Sequence, residues 1–116
     1  MRILIVDDNE AAADTLGELL SLGGHCVRMV YTGEEAIEAM SEFNPDVVLL
    51  DIGLPNSNGF DVARKLRSLP NAQHFLLVAV TGYGQSALQQ SASKDFDEYF
   101  VKPMSFDKLE SIGLHV

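Results

Sequence analysis

Five short apolar runs, each followed by a stretch with helical spacing, constrain this chain more than any other feature. The runs are Ile3–Val6, Cys26–Val30, Val47–Leu50, Leu76–Val80 and Tyr99–Val101. Several are apolar without alternation, as strands covered on both faces are. The intervening segments read as helices. Asn9 or Asp8 caps the first, whose apolar stripe is Ala12, Leu16, Leu19 and Leu20 and which stops near Gly23-Gly24. Thr32 caps the second, with Ala36, Ile37 and Met40 inward. Gly59 opens the third, with Phe60, Ala63, Leu66 and Leu69 inward. The fourth, near Gln85–Ser93, is rich in Gln and Ser and is the weakest. The fifth starts near Ser105 and carries Phe106, Leu109 and Ile112. Strand and helix alternating in this way require right-handed crossovers and a mostly parallel sheet, an α/β class.

The length of 116 residues fits one domain with a core of its own. The short apolar start is followed at once by acids, so it reads as a strand and neither a leader nor a membrane span. A cytoplasmic location is the expectation. Eight basic against 17 acidic residues give a net charge of −9. Nucleic-acid binding rests on Lys and Arg neutralising phosphates, so that class is disfavoured. Cys26 is the single cysteine, which excludes an internal disulfide. Its place in an apolar run reads as a small buried residue.

In an open parallel sheet, chemistry sits at the carboxyl ends of the strands. Those ends carry Asp7 and Asp8, Asp51, Thr81 and Lys102. A lone Asp after a strand is more often a cap or turn former than a ligand. Three carboxylates converging at one edge are different. Like charges repel, and a divalent cation removes the conflict. All-oxygen ligation suits Mg²⁺, with Mn²⁺ as a substitute. Thr81, before Gly82-Tyr83-Gly84, reads equally well as a cap or as a hydroxyl for a phosphoryl oxygen. Lys102 would ordinarily be a solvated lysine. At an acidic edge it can pair with a carboxylate or a phosphoryl oxygen. Pro103 restricts it to extended backbone, and a cis Lys102–Pro103 bond would aim it inward.

Together these groups make a phosphoryl-transfer site. An ionised carboxylate is a nucleophile that forms an aspartyl phosphate without a general base. A metal ion, a lysine and a hydroxyl stabilise the equatorial oxygens. His25, His74 and His115 are scattered and supply no rival centre.

From Arg2 to about Leu109 the sequence resembles the response-regulator receiver family, the chemotaxis-regulator-like phosphoacceptor domain of two-component systems. The matching pieces are Ile3-Leu4-Ile5-Val6-Asp7-Asp8-Asn9, Asp46 through Pro55 with Asp51 inside, Gly59-Phe60, Thr81-Gly82, and Tyr99-Phe100-Val101-Lys102-Pro103. The resemblance implies a flavodoxin-like, doubly wound sheet in the order 2-1-3-4-5, flanked by five helices. It implies Asp51 as the phosphorylated residue, with Asp8, Asp51 and the Gly53 carbonyl as direct Mg²⁺ ligands. Asp7 would be a ligand through water. Thr81 and Lys102 would bind the phosphoryl group, and Tyr99 would be the aromatic switch residue. The implied donor is a sensor histidine kinase or a histidine phosphotransfer protein. The implied readout is the surface of the fourth helix, fifth strand and fifth helix, recognised by an unknown output protein or domain.

The sequence departs from the pattern at Asp95, where the Gly-Ala-Asp-Asp-Tyr-like segment has Gly, and at Asn58, where Asp is common. Gly53 and Tyr83 stand two residues after Asp51 and Thr81, positions that tune phosphoryl lifetime. With no side chain at 53 and a shielding Tyr83, slow self-dephosphorylation is expected. No output domain is expected after Val116. A stand-alone receiver, or one excised from a hybrid kinase or larger regulator, is therefore expected. Three other readings compete. A haloacid-dehalogenase-like phosphatase would want an Asp-x-Asp pair after its first strand. A flavodoxin-like FMN carrier would want a Ser/Thr/Gly phosphate loop where Asp7-Asp8-Asn9-Glu10 stands. A phosphorylation-independent binding module would not need the intact acid, Thr and Lys set.

Overall fold

A computed structural model describes residues 1–52, 59–70, 74–81, 95–101 and 106–114, the side chains of Thr81 and Phe106 excepted. Strands β1 (Arg2–Val6), β2 (Cys26–Val30), β3 (Val47–Asp51), β4 (Leu76–Thr81) and β5 (Glu98–Val101) form one parallel sheet in the order β2-β1-β3-β4-β5. Helices α1 (Glu10–Leu22), α2 (Gly33–Phe43), α3 (Gly59–Ser68) and a C-terminal helix (Phe106–Ser111) flank it. The segment near Gln85–Ser93 lies outside the described residues, as does the 102–105 stretch.

The uninterrupted apolar runs have the expected cause. Alternate residues of β1, β3 and β4 feed two separate cores. Leu4, Val6, Val48, Leu50, Leu77 and Ala79 face α2 and α3. Ile3, Ile5, Val47, Leu49, Val78 and Val80 face α1 and the C-terminal helix. Every residue of β3 is buried.

The edge strand β2 corrects one expectation. Cys26 is exposed, not buried. It opens an edge strand, where one side of the ladder has no neighbour, and it lies 3.7 Å from the Arg2 guanidinium. The α1 stripe is corrected as well. Ala13, Gly17 and Leu20 are the buried residues, Leu16 and Leu19 are partly buried, and Ala12 is exposed. The helix is turned by about one residue because Gly17 sits directly against Met29, where a Cβ would meet the Met29 sulfur at 2.6 Å. A small residue at 17 sets the closest approach of helix to sheet, which apolar spacing alone does not reveal.

The helix ends follow from local chemistry. Asn9 Oδ1 accepts from the Ala12 amide at 3.1 Å and caps α1. At the other end, the amides of Gly24 and His25 donate to the Ser21 and Leu20 carbonyls, with Gly24 at φ 92°. That left-handed residue closes the helix and turns the chain into β2. Thr32 Oγ1 accepts from the Glu35 amide at 3.1 Å, and Glu35 Oε1 reaches back to the Tyr31 amide at 3.0 Å. This is a capping box shifted by one residue. Thr32→Ala, like Asn9→Ala, is expected to cost about 1 kcal/mol. Urea unfolding followed by circular dichroism would show it as a lower midpoint at unchanged slope.

Candidate phosphoacceptor and metal site

The sheet register brings the first and third strand ends level. Val6 pairs with Leu50, so Asp7 and Asp51 are the next residues on adjacent strands. The Asp7 amide donates to Val30 and the Ile52 amide to Val80, which holds both turns close to the sheet. Asp7 and Asp51 are each 7% exposed, the buried charged side chains among the described residues, whereas Asp8 is exposed. One carboxylate oxygen from each of Asp7, Asp8 and Asp51 lies within 4.8 Å of the other two.

Burying carboxylates is costly unless something compensates. One compensation is local. The Asn9 amide donates to Asp7 Oδ1 at 3.0 Å, and the N-terminus of α1 begins at the next residue. The positive end of that helix favours negative charge. A divalent ion is the other. Carboxylate oxygens this close, with hard donors only, fit Mg²⁺ or Mn²⁺, and the exposed Asp8 leaves a path from solvent. Beside the acids lies a cavity of about 120 Å³ whose walls are largely apolar, among them Ile5, Leu16, Leu49 and Val80. Apolar walls lower the local dielectric and strengthen charge interactions at the acids.

The other predicted residues fall into two groups. Thr81 closes β4, paired with Val101, and stands one residue beyond Val80, the partner of Asp51. Its backbone is therefore one step along from Asp51 on the neighbouring strand. Lys102, Pro103, Gly53, Asn58 and Tyr83 lie outside the described residues. Tyr99 sits on β5 opposite Ala79 and is half-buried. Burial, with the Asp95 carboxylate as a lesser cause, pushes its phenol above the ordinary tyrosine range. The ring is neutral at physiological pH.

Sequence reasoning missed what surrounds Tyr99. Phe96 is buried and touches the Tyr99 ring on one side and Phe60 on the other. Arg67 binds the Asp97 carboxylate at 2.7 Å and the Asp95 carbonyl at 2.9 Å. An apolar Phe set among the acids of Asp95-Phe96-Asp97-Glu98 was the available signal.

The family model for the response regulator receiver domain matches residues 3–112. The chain belongs to the response regulator receiver family. Among receiver relatives, it is 34% identical to the two-component response regulator PhoP of Pseudomonas aeruginosa over 96% of this chain and 49% of that protein. It is 35% identical to the sensor histidine kinase AtsR of Burkholderia thailandensis over 97% of this chain and 19% of that protein. The chain thus spans about half or less of these relatives. A receiver domain structure (CheY-like) from Methylobacillus flagellatus superposes with a TM-score of 0.83 at 35% identity, covering 97% of this chain and 94% of that one. Receivers are regulatory phosphoacceptors of two-component signalling. No helix among the described residues is long and apolar enough to cross a membrane.

Proposed function

We propose that this receiver is a Mg²⁺-dependent switch phosphorylated on Asp51 by a phosphohistidine, on a sensor histidine kinase or a histidine phosphotransfer protein. The observation that carries the reading is the convergence of Asp7, Asp8 and Asp51 at the carboxyl edge of a receiver sheet. Asp51 is the nucleophile because it ends the central strand β3, every residue of which is buried. Asp8 and Asp51, with the Gly53 carbonyl, would hold the ion directly, and Asp7 through water. When bound, the ion neutralises charge on the carboxylates and on the incoming phosphoryl oxygens.

In the transfer, an Asp51 carboxylate oxygen attacks phosphorus as the bond from phosphorus to the donor imidazole nitrogen breaks. The electron pair leaves with the imidazole, so no base is needed. Thr81 and Lys102 then bind phosphoryl oxygens, and Tyr99 follows Thr81. The two conformations are always in balance, and phosphorylation shifts it. An output protein or domain reads the surface around β5. The chain acts in the cytoplasm as one receiver domain, stand-alone or part of a hybrid kinase or larger regulator. It catalyses only its own phosphorylation and dephosphorylation.

Incubation with acetyl phosphate and Mg²⁺ is expected to give one phosphoryl adduct by intact mass, and chelation of the ion is expected to prevent it. Turnover of an aryl phosphate without a stable adduct would favour a phosphatase instead. Ion binding with no adduct, even from a phosphohistidine donor, would favour a phosphorylation-independent binding module.

A further inference from the structure

Tyr99 packs against the core face that α2 and α3 share, and Phe96 forms the wall it meets. The two ring centroids are 5.5 Å apart with the planes inclined at 54°. On its far side Phe96 stands edge-on to Phe60, at 5.7 Å and 85°. Phe60 follows Gly59, where an added Cβ would fall 2.3 Å from the Ile52 Cα, so the start of α3 rests on the residue after Asp51. The backbone on both flanks of Phe96 is tied down. Arg67 donates to the Asp95 carbonyl at 2.9 Å, the Phe75 carbonyl at 3.1 Å and the Asp97 carboxylate at 2.7 Å. The same Asp97 oxygen accepts from the Leu77 amide at 2.8 Å, and the Asp97 amide donates to the Leu77 carbonyl at 2.8 Å. The Phe96 ring is 7% exposed, on a backbone hydrogen-bonded at both neighbours.

We propose that Phe96 is a positioning residue for Tyr99, holding its ring in the unphosphorylated arrangement so that activation must work against this contact. The inference rests on the reading of Asp51 as phosphoacceptor and Tyr99 as switch. A contact made in only one of two conformations sets their ratio, and a reaction that needs the minor conformation runs in proportion to its population. Loss of the contact therefore speeds phosphorylation by a small donor.

The test is the rate of adduct formation from acetyl phosphate and Mg²⁺, read by intact mass on the full chain. Wild type, Phe96→Leu, Tyr99→Ala and the double variant are compared, with folding checked by circular dichroism. Phe96→Leu is expected to accelerate the reaction roughly 2- to 12-fold, the range an aromatic pair contact supplies. In the Tyr99→Ala background the same change is expected to do nothing, and Phe96→Tyr, which keeps the ring, to react at the wild-type rate. Should Phe96→Leu not fold, Phe96→Met fills the space with an adaptable chain and takes its place. An unchanged rate in Phe96→Leu overturns the proposal, as does equal acceleration with and without Tyr99. A wild type that takes no phosphoryl group while binding Mg²⁺ overturns the phosphoacceptor reading, and this inference with it.

Discussion

Asp51→Asn is expected to abolish the phosphoryl adduct and, at the same time, to stabilise the metal-free protein. The first effect removes the nucleophile. The second follows from the spacing of the acids. Two unit charges within 4.8 Å repel by roughly 3 kcal/mol at an effective dielectric near 20, before any relaxation. Replacing one of three close carboxylates by a neutral isostere of the same shape removes part of that repulsion, on the order of 1–2 kcal/mol. The third consequence concerns the ion. Wild type gains about 2.7 kcal/mol at an Mg²⁺ concentration a hundred times the dissociation constant. For a domain of this size that is on the order of 10 °C in midpoint. The variant, having lost a ligand, is expected to gain far less. Intact mass after acetyl phosphate checks the first sign, and thermal unfolding of both proteins with chelator and with Mg²⁺ checks the other two. A variant less stable than wild type in chelator, or one stabilised equally by the ion, would remove Asp51 from the acidic centre.

Gly59→Ala carries the other large effect. The added methyl would fall 2.3 Å from the Ile52 Cα, 2.7 Å from its Cβ and 3.0 Å from its carbonyl carbon. Two of these atoms are backbone, so no side-chain rotation relieves the clash. Either α3 moves away from the sheet or the turn after β3 shifts. Overpacking of this kind costs about 3 kcal/mol, and Gly59→Val costs more. Because Ile52 is bonded to Asp51, surviving molecules are expected to accept phosphate more slowly than wild type. Chemical denaturation and the initial rate of adduct formation measure the two consequences separately. Wild-type stability in Gly59→Ala would mean that the helix and the turn are farther apart than described.

Much of this molecule is legible in its sequence. The five strands come within about one residue of the apolar runs, because a strand buried on both faces must be apolar throughout. Thr32 is nameable as a cap, and Asn9 as one of two candidates beside Asp8, because capping is local chemistry. The acidic site was legible because topology sends every strand of a parallel sheet to the same edge, so residues far apart in sequence meet there. What sequence could not show was contact between elements. The rotation of α1 depends on Met29 lying over Gly17, and the exposure of Cys26 on which strand is at the edge. The aromatic row from Phe60 through Phe96 to Tyr99 joins a helix, a turn and a strand, so no period in the sequence announces it. The clamp of Arg67 on Asp97 is of the same kind. Each partner alone reads as a solvated charge, and the pair becomes specific only when α3 and the entry to β5 are adjacent.

The most direct measurement of the central claim locates the phosphoryl group. Protein phosphorylated with acetyl phosphate and Mg²⁺ would be reduced with borohydride, which converts an aspartyl phosphate to homoserine, then digested and sequenced by tandem mass spectrometry. Homoserine at position 51 and unmodified aspartate at positions 7 and 8 are expected. Homoserine at 7 or 8 with aspartate intact at 51, or a borohydride-stable phosphate on another residue type, would contradict that claim.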